Sequence, residues 1–268
     1  MKTRILTAIV LIPLLVLVLL SGSPVIAAAV VIISAIGLYE FYKATGLKDK
    51  RYLCALGYLA AVAVPLMRSF INPQLYAPLV YLFMFLLFVI MLAQHKTVSV
   101  TDAAMVIFSV VYIPYFLTNL LYIRELEYGR ILIWIPFIGA FLTDTCAYFA
   151  GVFLGKHKLC PEISPKKTIE GSVGGILGCM AACMLYGLLM EKAWSLNVNY
   201  LSLAALGFAM SIVSQIGDLS ASIIKRKFGI KDYGSLFPGH GGILDRLDSV
   251  IMIAPLVYLY IVDIGFLK

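Results

Sequence analysis

Four aspartates stand in stretches where a charge is hard to keep. Asp144 lies in the middle of an apolar run, within Thr143-Asp144-Thr145, and Asp218 lies toward the end of another that closes on Lys225. At helical rise Asp218 is about 10 Å from that charged end. An Asp at the centre of a spanning helix costs about 2.5–3.5 kcal/mol on insertion scales. Such residues usually face a pathway, a partner or a site. Asp245 and Asp248 open a further apolar run. Three apart on a helix, they share one face, with Cβ atoms about 5–6 Å apart. Hard divalent cations take oxygen ligands, and Mg²⁺ is often held by one or two carboxylates plus substrate phosphates. Asp144, Asp218, Asp245 and Asp248 are therefore the metal-ligand candidates. Paired ions about 3.5–4 Å apart also suit carboxylates on adjoining helices, so one or two Mg²⁺ ions are expected. A site this acidic leaves room for a monovalent cation beside them. No His/Cys set has zinc spacing.

Cations flank the same residues. Lys166 and Lys167 follow Ser164-Pro165 and precede Thr168. Lys225, Arg226 and Lys231 follow Asp218, and Arg246 sits between the two paired aspartates. The run Pro238-Gly239-His240-Gly241-Gly242 leads into a helix. Successive backbone N–H groups in such a loop can cup an anion, and a helix N-terminus favours one as well. Carboxylates for a metal, cations and a glycine turn are together the equipment of phosphoryl or nucleotidyl transfer. Each feature alone has a plainer reading. Lys225-Arg226-Lys227 is an ordinary membrane anchor, His240 a loop hydrogen-bonder, and Thr168 a helix cap ahead of Glu170-Gly171. Asp245 with Arg246 is a helix-start cap and interfacial pair, and Asp144 alone is a buried polar group satisfied by neighbouring helices. Their concentration on one side of a membrane is what favours a site.

The elements that position these residues follow from composition. The chain has 268 residues, 62% hydrophobic and only 13% charged, with a mean hydropathy of +0.99. Soluble domains run at roughly 45–50% apolar and about 25% charged. A conventional soluble enzyme and a disordered chain are both excluded. The expected fold is all-α: a polytopic integral membrane helical bundle. With about 20 apolar residues needed per span, nine transmembrane helices are expected. They cover 5–21, 24–43, 52–68, 75–94, 103–123, 131–153, 171–190, 200–224 and 246–265. Spans one and three are short, which leaves eight or ten open. The opening Met-Lys-Thr-Arg and its apolar run resemble a signal peptide, but apolar sequence resumes at Val25, so a retained first span is expected.

Placing the N-terminus in the cytoplasm puts 16 of the 21 Lys and Arg residues inside, leaving Arg68, Arg124, Arg130, Lys192 and Lys268 outside. That asymmetry fits the positive-inside rule. It accounts for the net charge of +7 without a nucleic-acid partner. The polar stretches near 155–170 and 225–248 then both face the cytoplasm. One integral membrane domain, 1–268, is expected, with scaffold spans over 1–124 and a motif-bearing catalytic half over 131–268. The five cysteines contain no CxxC; Cys179 and Cys183, four apart, read as small helix-packing residues.

The motif residues resemble the phosphatidate cytidylyltransferase family, the CDP-diacylglycerol synthases. The resemblance is carried by Ser222-Ile223-Ile224-Lys225-Arg226, Lys231-Asp232 and the unbroken run from Pro238 to Ser249. A second block agrees: Asp144, Ala147-Tyr148, Gly151, Gly155 to Leu159, Pro161, Ser164-Pro165, Lys167-Thr168 and Glu170-Gly171. Gln215 and Gly217-Asp218-Leu219 match the run before the main motif. Ala221 stands where many relatives carry an acidic residue, and Tyr233 where many carry a small one. Over the N-terminal half the likeness is only one of hydropathy.

The resemblance implies Mg²⁺-dependent transfer of CMP from CTP to phosphatidic acid, giving CDP-diacylglycerol and pyrophosphate. It also implies a multi-pass protein of the inner (cytoplasmic) membrane with its site facing the cytoplasm, and leaves a homo-oligomer open. Asp218, Asp245 and Asp248 would hold metal, with Asp144 linked to it. Lys225, Arg226, Lys231 and Arg246 would neutralise phosphates. Gly239, Gly241 and Gly242 would let backbone approach the triphosphate, with His240 beside it. Ser164, Lys166, Lys167 and Thr168 would close over nucleotide or lipid head. From the residues alone, an ion-coupled transporter, a structural membrane protein and a CTP-using lipid kinase remain alternatives.

Overall fold

A computed structural model describes residues 2–70, 73–237 and 241–267 of the chain. The described residues are overwhelmingly helical, as an all-α membrane bundle requires: with no water to satisfy it, backbone inside a bilayer must bond to itself. In chain order the helices are α1 Lys2–Leu20, α2 Ser23–Ala44, α3 Arg51–Phe70, α4 Tyr76–Ala93, α5 Val100–Val110, α6 Phe116–Glu125, α7 Gly129–Leu132, α8 Trp134–Leu154, α9 Ile169–Trp194, α10 Tyr200–Lys227 and α11 Leu244–Asp263. Among the described residues six stretches are long and apolar enough to cross a membrane: Ser23–Ala44, Tyr76–Ala93, Val100–Glu125, Gly129–Leu154, Ile169–Trp194 and Tyr200–Lys227. The apolar parts of α1 and α3, Ile9–Leu20 and Arg51–Met67, are shorter.

Local chemistry sets the ends. Pro24 opens α2, where its missing N–H costs nothing. Ser99 and Asp102 form a reciprocal cap at the start of α5: the Ser99 amide donates to Asp102 Oδ2 at 2.8 Å, and the Asp102 amide to Ser99 Oγ at 3.1 Å. Between α5 and α6 the chain widens into a π-helical turn over Val111–Tyr115 around Pro114. Proline removes one ladder hydrogen bond, and a π turn re-registers the rest. Thr168 caps α9 by accepting the Gly171 amide at 3.1 Å. The one departure from helix among the named elements is a hairpin, β1 Lys158–Cys160 paired antiparallel with β2 Ser164–Thr168.

The chain divides into two compact units: Met1–Leu121 with Asp232–Arg246, and Tyr122–Lys231 with Leu247–Lys268. The first packs α2 and α3 against α5 around Leu38, Phe41, Tyr42 and Leu53, all at most 1% exposed. Ser109 donates to the Tyr42 hydroxyl at 3.2 Å inside this cluster. The second is a tight α8–α9–α10 bundle. Small residues let its backbones approach: a Cβ on Gly174 would overlap that of Ala150, and one on Gly178 would overlap Cys146 Sγ. Cys179 and Cys183 are buried there as free thiols. Outward faces stay apolar, with Phe153 on α8 at 77% exposure and Leu92 on α4 at 76%, as lipid-facing surfaces require.

Candidate active site

Within the second unit the hairpin roofs a cavity of about 490 Å³. Asp144, Ala147, Tyr148, Gly151 and Val152 of α8 form one wall. Lys158, Leu159, Lys166 and Lys167 of the hairpin form another, and Thr168, Gly171, Ser172 and Gln215 close it. Glycines explain how the hairpin and the start of α9 come so close to α8: a Cβ on Gly151 would stand 3.0 Å from Thr168 Oγ1 of the hairpin, and one on Gly171 of α9 would stand 2.8 Å from Ala147 O. Glu170, in the first turn of α9, then clasps the strand's approach. It accepts the Lys156 amide at 3.1 Å and the His157 amide at 3.2 Å, and its Oε1 lies 2.7 Å from His157 Nδ1. Gln215 donates to Ser172 O at 3.3 Å, tying α10 to α9 at the cavity floor.

The hairpin delivers a charge to α10. Lys167 Nζ is ion-paired with Asp218 Oδ2. Beside Asp218, Gly217 allows α11 to draw near: a Cβ there would lie 2.8 Å from Met252 Cγ and 3.1 Å from Asp248 O. Asp248 is consequently buried, 8% exposed. Its Oδ1 accepts the Ser249 amide at 2.8 Å. The charges acting on it are Asp218 and Asp144, which repel it, and Lys225, which attracts it. Lys225 is itself buried at 8% exposure. A buried carboxylate repelled by two more exposed ones is held at a cost that a cation would offset.

The remaining expected residues are placed differently. Lys166 and Lys231 are exposed, and Ser164 is half-buried at the start of β2. Arg226 turns back to donate to Ile230 O at 3.1 Å, closing the end of α10. Arg246 is exposed in the first turn of α11. In the first unit, Asp245 Oδ2 accepts the Tyr233 amide at 2.8 Å and the Gly242 amide at 2.9 Å, so this carboxylate organises its own loop. Gly241 has φ +83°, a conformation that favours glycine. Gly239 and His240 lie outside the described residues. Among the described residues no three His, Cys, Asp or Glu side chains form a ready metal cluster.

Several contributors escaped the sequence reading. Ser172 lines the cavity, as does Lys158, read only as part of a motif. His157 and Glu170, read only as part of a motif, form the clasp. Glu40 on α2 is buried in the first unit against the motif loop. For Glu40 a signal existed, since it is a carboxylate near the end of an apolar span.

Carboxylates and lysines beside a cavity, roofed by a polar hairpin on an apolar helical bundle, define an integral membrane enzyme handling phosphorylated substrates. A family model described as "Cytidylyltransferase family" matches residues 2–263. Proteins named phosphatidate cytidylyltransferase are similar along their whole length. The one from Staphylococcus saprophyticus is 33% identical over 271 residues, covering 98% of this chain and 100% of its own. That from Staphylococcus aureus has the same identity and coverage, and that from Staphylococcus haemolyticus is 32% identical over 272 residues. The chain belongs to the cytidylyltransferase family.

Proposed function

We propose that the protein transfers the cytidylyl group of CTP to phosphatidic acid, forming CDP-diacylglycerol and pyrophosphate for phospholipid synthesis. A lipid phosphate oxygen attacks the α-phosphorus of CTP; a new P–O bond forms, the α–β phosphoanhydride bond breaks, and pyrophosphate leaves. A phosphate monoester is already largely ionised, so no strong base is needed. Positioning and charge neutralisation do the work. One observation carries the reading: residues far apart in sequence, Lys167, Asp218, Lys225 and Asp248, gather in the second unit, within a chain alike end to end with relatives bearing that name.

Lys167, Lys166 and Lys158 neutralise phosphate at the cavity, and Ser164 and Thr168 set the hairpin that carries them. Lys225 offsets the carboxylates, while Arg226, Lys231 and Arg246 add positive potential at the ends of α10 and α11. Gly239, Gly241 and His240 keep the role the motif gives them, offering backbone and a polar ring to the triphosphate, whereas the Gly242 amide is already held by Asp245. Asp218 and Asp248 suit Mg²⁺ by donor chemistry: hard oxygens, two of them, with phosphate and water completing the set as Mg²⁺ prefers. Asp144 supports that pair, and Asp245 holds the loop beside it in sequence. When bound, Mg²⁺ supplies positive charge to the phosphates. The protein is a multi-pass membrane protein, and we assign it to the inner membrane with the hairpin toward the cytoplasm. The test is an acceptor exchange with purified protein, CTP and Mg²⁺. Pyrophosphate release with phosphatidic acid and none with diacylglycerol supports the reading; the reverse preference, with CDP released, replaces it with a lipid kinase.

A further inference from the structure

Glu40 sits in α2, in the part of the chain without sequence motifs, yet it is 4% exposed. Its carboxylate is spent on backbone more than 200 positions away. Oε1 accepts the Ile243 amide at 3.0 Å and Oε2 the Leu244 amide at 3.0 Å. These are amides at the very start of α11, where a helix has no partners of its own for them and where negative charge is favoured. Two loop glycines close around the same carboxylate: a Cβ on Gly234 would overlap Oε1, and one on Gly242 would overlap both oxygens. Asp245 repels this second buried carboxylate and already holds the Tyr233 and Gly242 amides. Buried and repelled by Asp245, Glu40 keeps its place through the amides it binds, with Lys43 adding an attractive charge.

We infer that Glu40 is a positioning residue for the motif loop: through the Ile243 and Leu244 amides and the Gly234–Gly242 approach it fixes where α11 begins. Asp245 and Arg246 lie in the first turn of that helix, so their placement depends on a side chain from α2. The kinetic consequence rests on the proposed cytidylyl transfer; the structural consequence does not. Gly234 and Gly242 are then required by Glu40.

The experiment compares wild-type protein, Glu40→Gln and Glu40→Ala by hydrogen exchange and by kinetics. Gln keeps one acceptor for two amides and turns an NH₂ toward the other. The expected result is exchange about tenfold faster or more in peptides spanning 232–247, with α8–α10 unchanged and melting nearly preserved in Glu40→Gln. Alongside it, kcat or the KM for CTP changes about tenfold, more in Ala than in Gln. Unchanged exchange over 232–247 in Glu40→Gln overturns the inference. So does faster exchange spread evenly through α2, α3 and α5 with kcat and KM intact, the mark of general stability alone. If wild-type protein proves inactive while the local exchange effect persists, the cytidylyl reading fails and the positioning role stands.

Discussion

Replacing Lys167 with Met removes the ammonium that bridges the hairpin to α10 and keeps most of the side chain's length. The Lys167 and Asp218 side chains are 25% and 31% exposed. An ion pair that open to solvent contributes only about 0.2–1 kcal/mol, so Lys167→Met lowers the melting temperature by about 2–4 °C at most. Catalysis should lose far more. A charge-assisted hydrogen bond to a phosphate, made in a lined cavity, contributes about 1.5–3 kcal/mol. That corresponds to a loss of about 10- to 150-fold in kcat/KM. The assay is incorporation of labelled CTP into lipid at varied CTP, beside a melting curve in the same detergent. A second variant sharpens it. If the pair merely ties the hairpin down, the neutral pair Lys167→Met/Asp218→Asn is as well matched as the charged one and recovers activity. If each charge serves the reaction, the double variant stays as low as the worse single variant. Recovery to within about threefold of wild type would refute the catalytic reasoning.

Three further outcomes follow from other parts of the structure. Gly174→Ala overpacks the α8–α9 contact at Ala150 and should cost about 1–3 kcal/mol; adding Ala150→Gly moves the methyl across the interface and should recover most of the melting temperature, whereas no recovery would mean the helices do not meet there. Removing divalent ions with EDTA should stop transfer and Mg²⁺ restore it, with Asp248→Asn needing about tenfold more Mg²⁺ for half-maximal rate; full activity in EDTA would remove the metal from the account. A cysteine placed at the exposed hairpin turn, Glu162→Cys on a Cys160→Ser background, should react with a membrane-impermeant maleimide in inverted vesicles only. Labelling in intact cells would reverse the orientation.

Helix positions were legible because their causes are local. The Pro24 start and the Thr168 cap sit within four residues of what they control, and the run expected over 75–94 is α4, Tyr76–Ala93. The π turn around Pro114 was not legible, because a proline in an apolar run can kink, end or widen a helix, and the neighbours decide. The hairpin was not legible, because strands of three and five residues, holding three lysines and a proline, show no alternating apolar pattern. Its stability comes from the Glu170 clasp and the glycines beneath it. Of the site, residue types were legible and pairings were not. Lys167 and Asp218 were each singled out, but nothing in sequence joins them. Glu40 shows the limit most clearly: its partners lie 203 and 204 residues away, and a carboxylate near a span's end reads as an interfacial one.

The central claim is that the group moved from CTP is the cytidylyl group and that its acceptor is the phosphate of phosphatidic acid. A single experiment with purified protein, phosphatidic acid and Mg²⁺ decides it, using CTP labelled at the α-phosphorus in one tube and at the γ-phosphorus in the other. The expected result is α-label in the lipid phase, γ-label in released pyrophosphate, and neither event with Asp218→Asn. Label from the γ-position in lipid, or no lipid label from folded protein across several acyl chains, would contradict it.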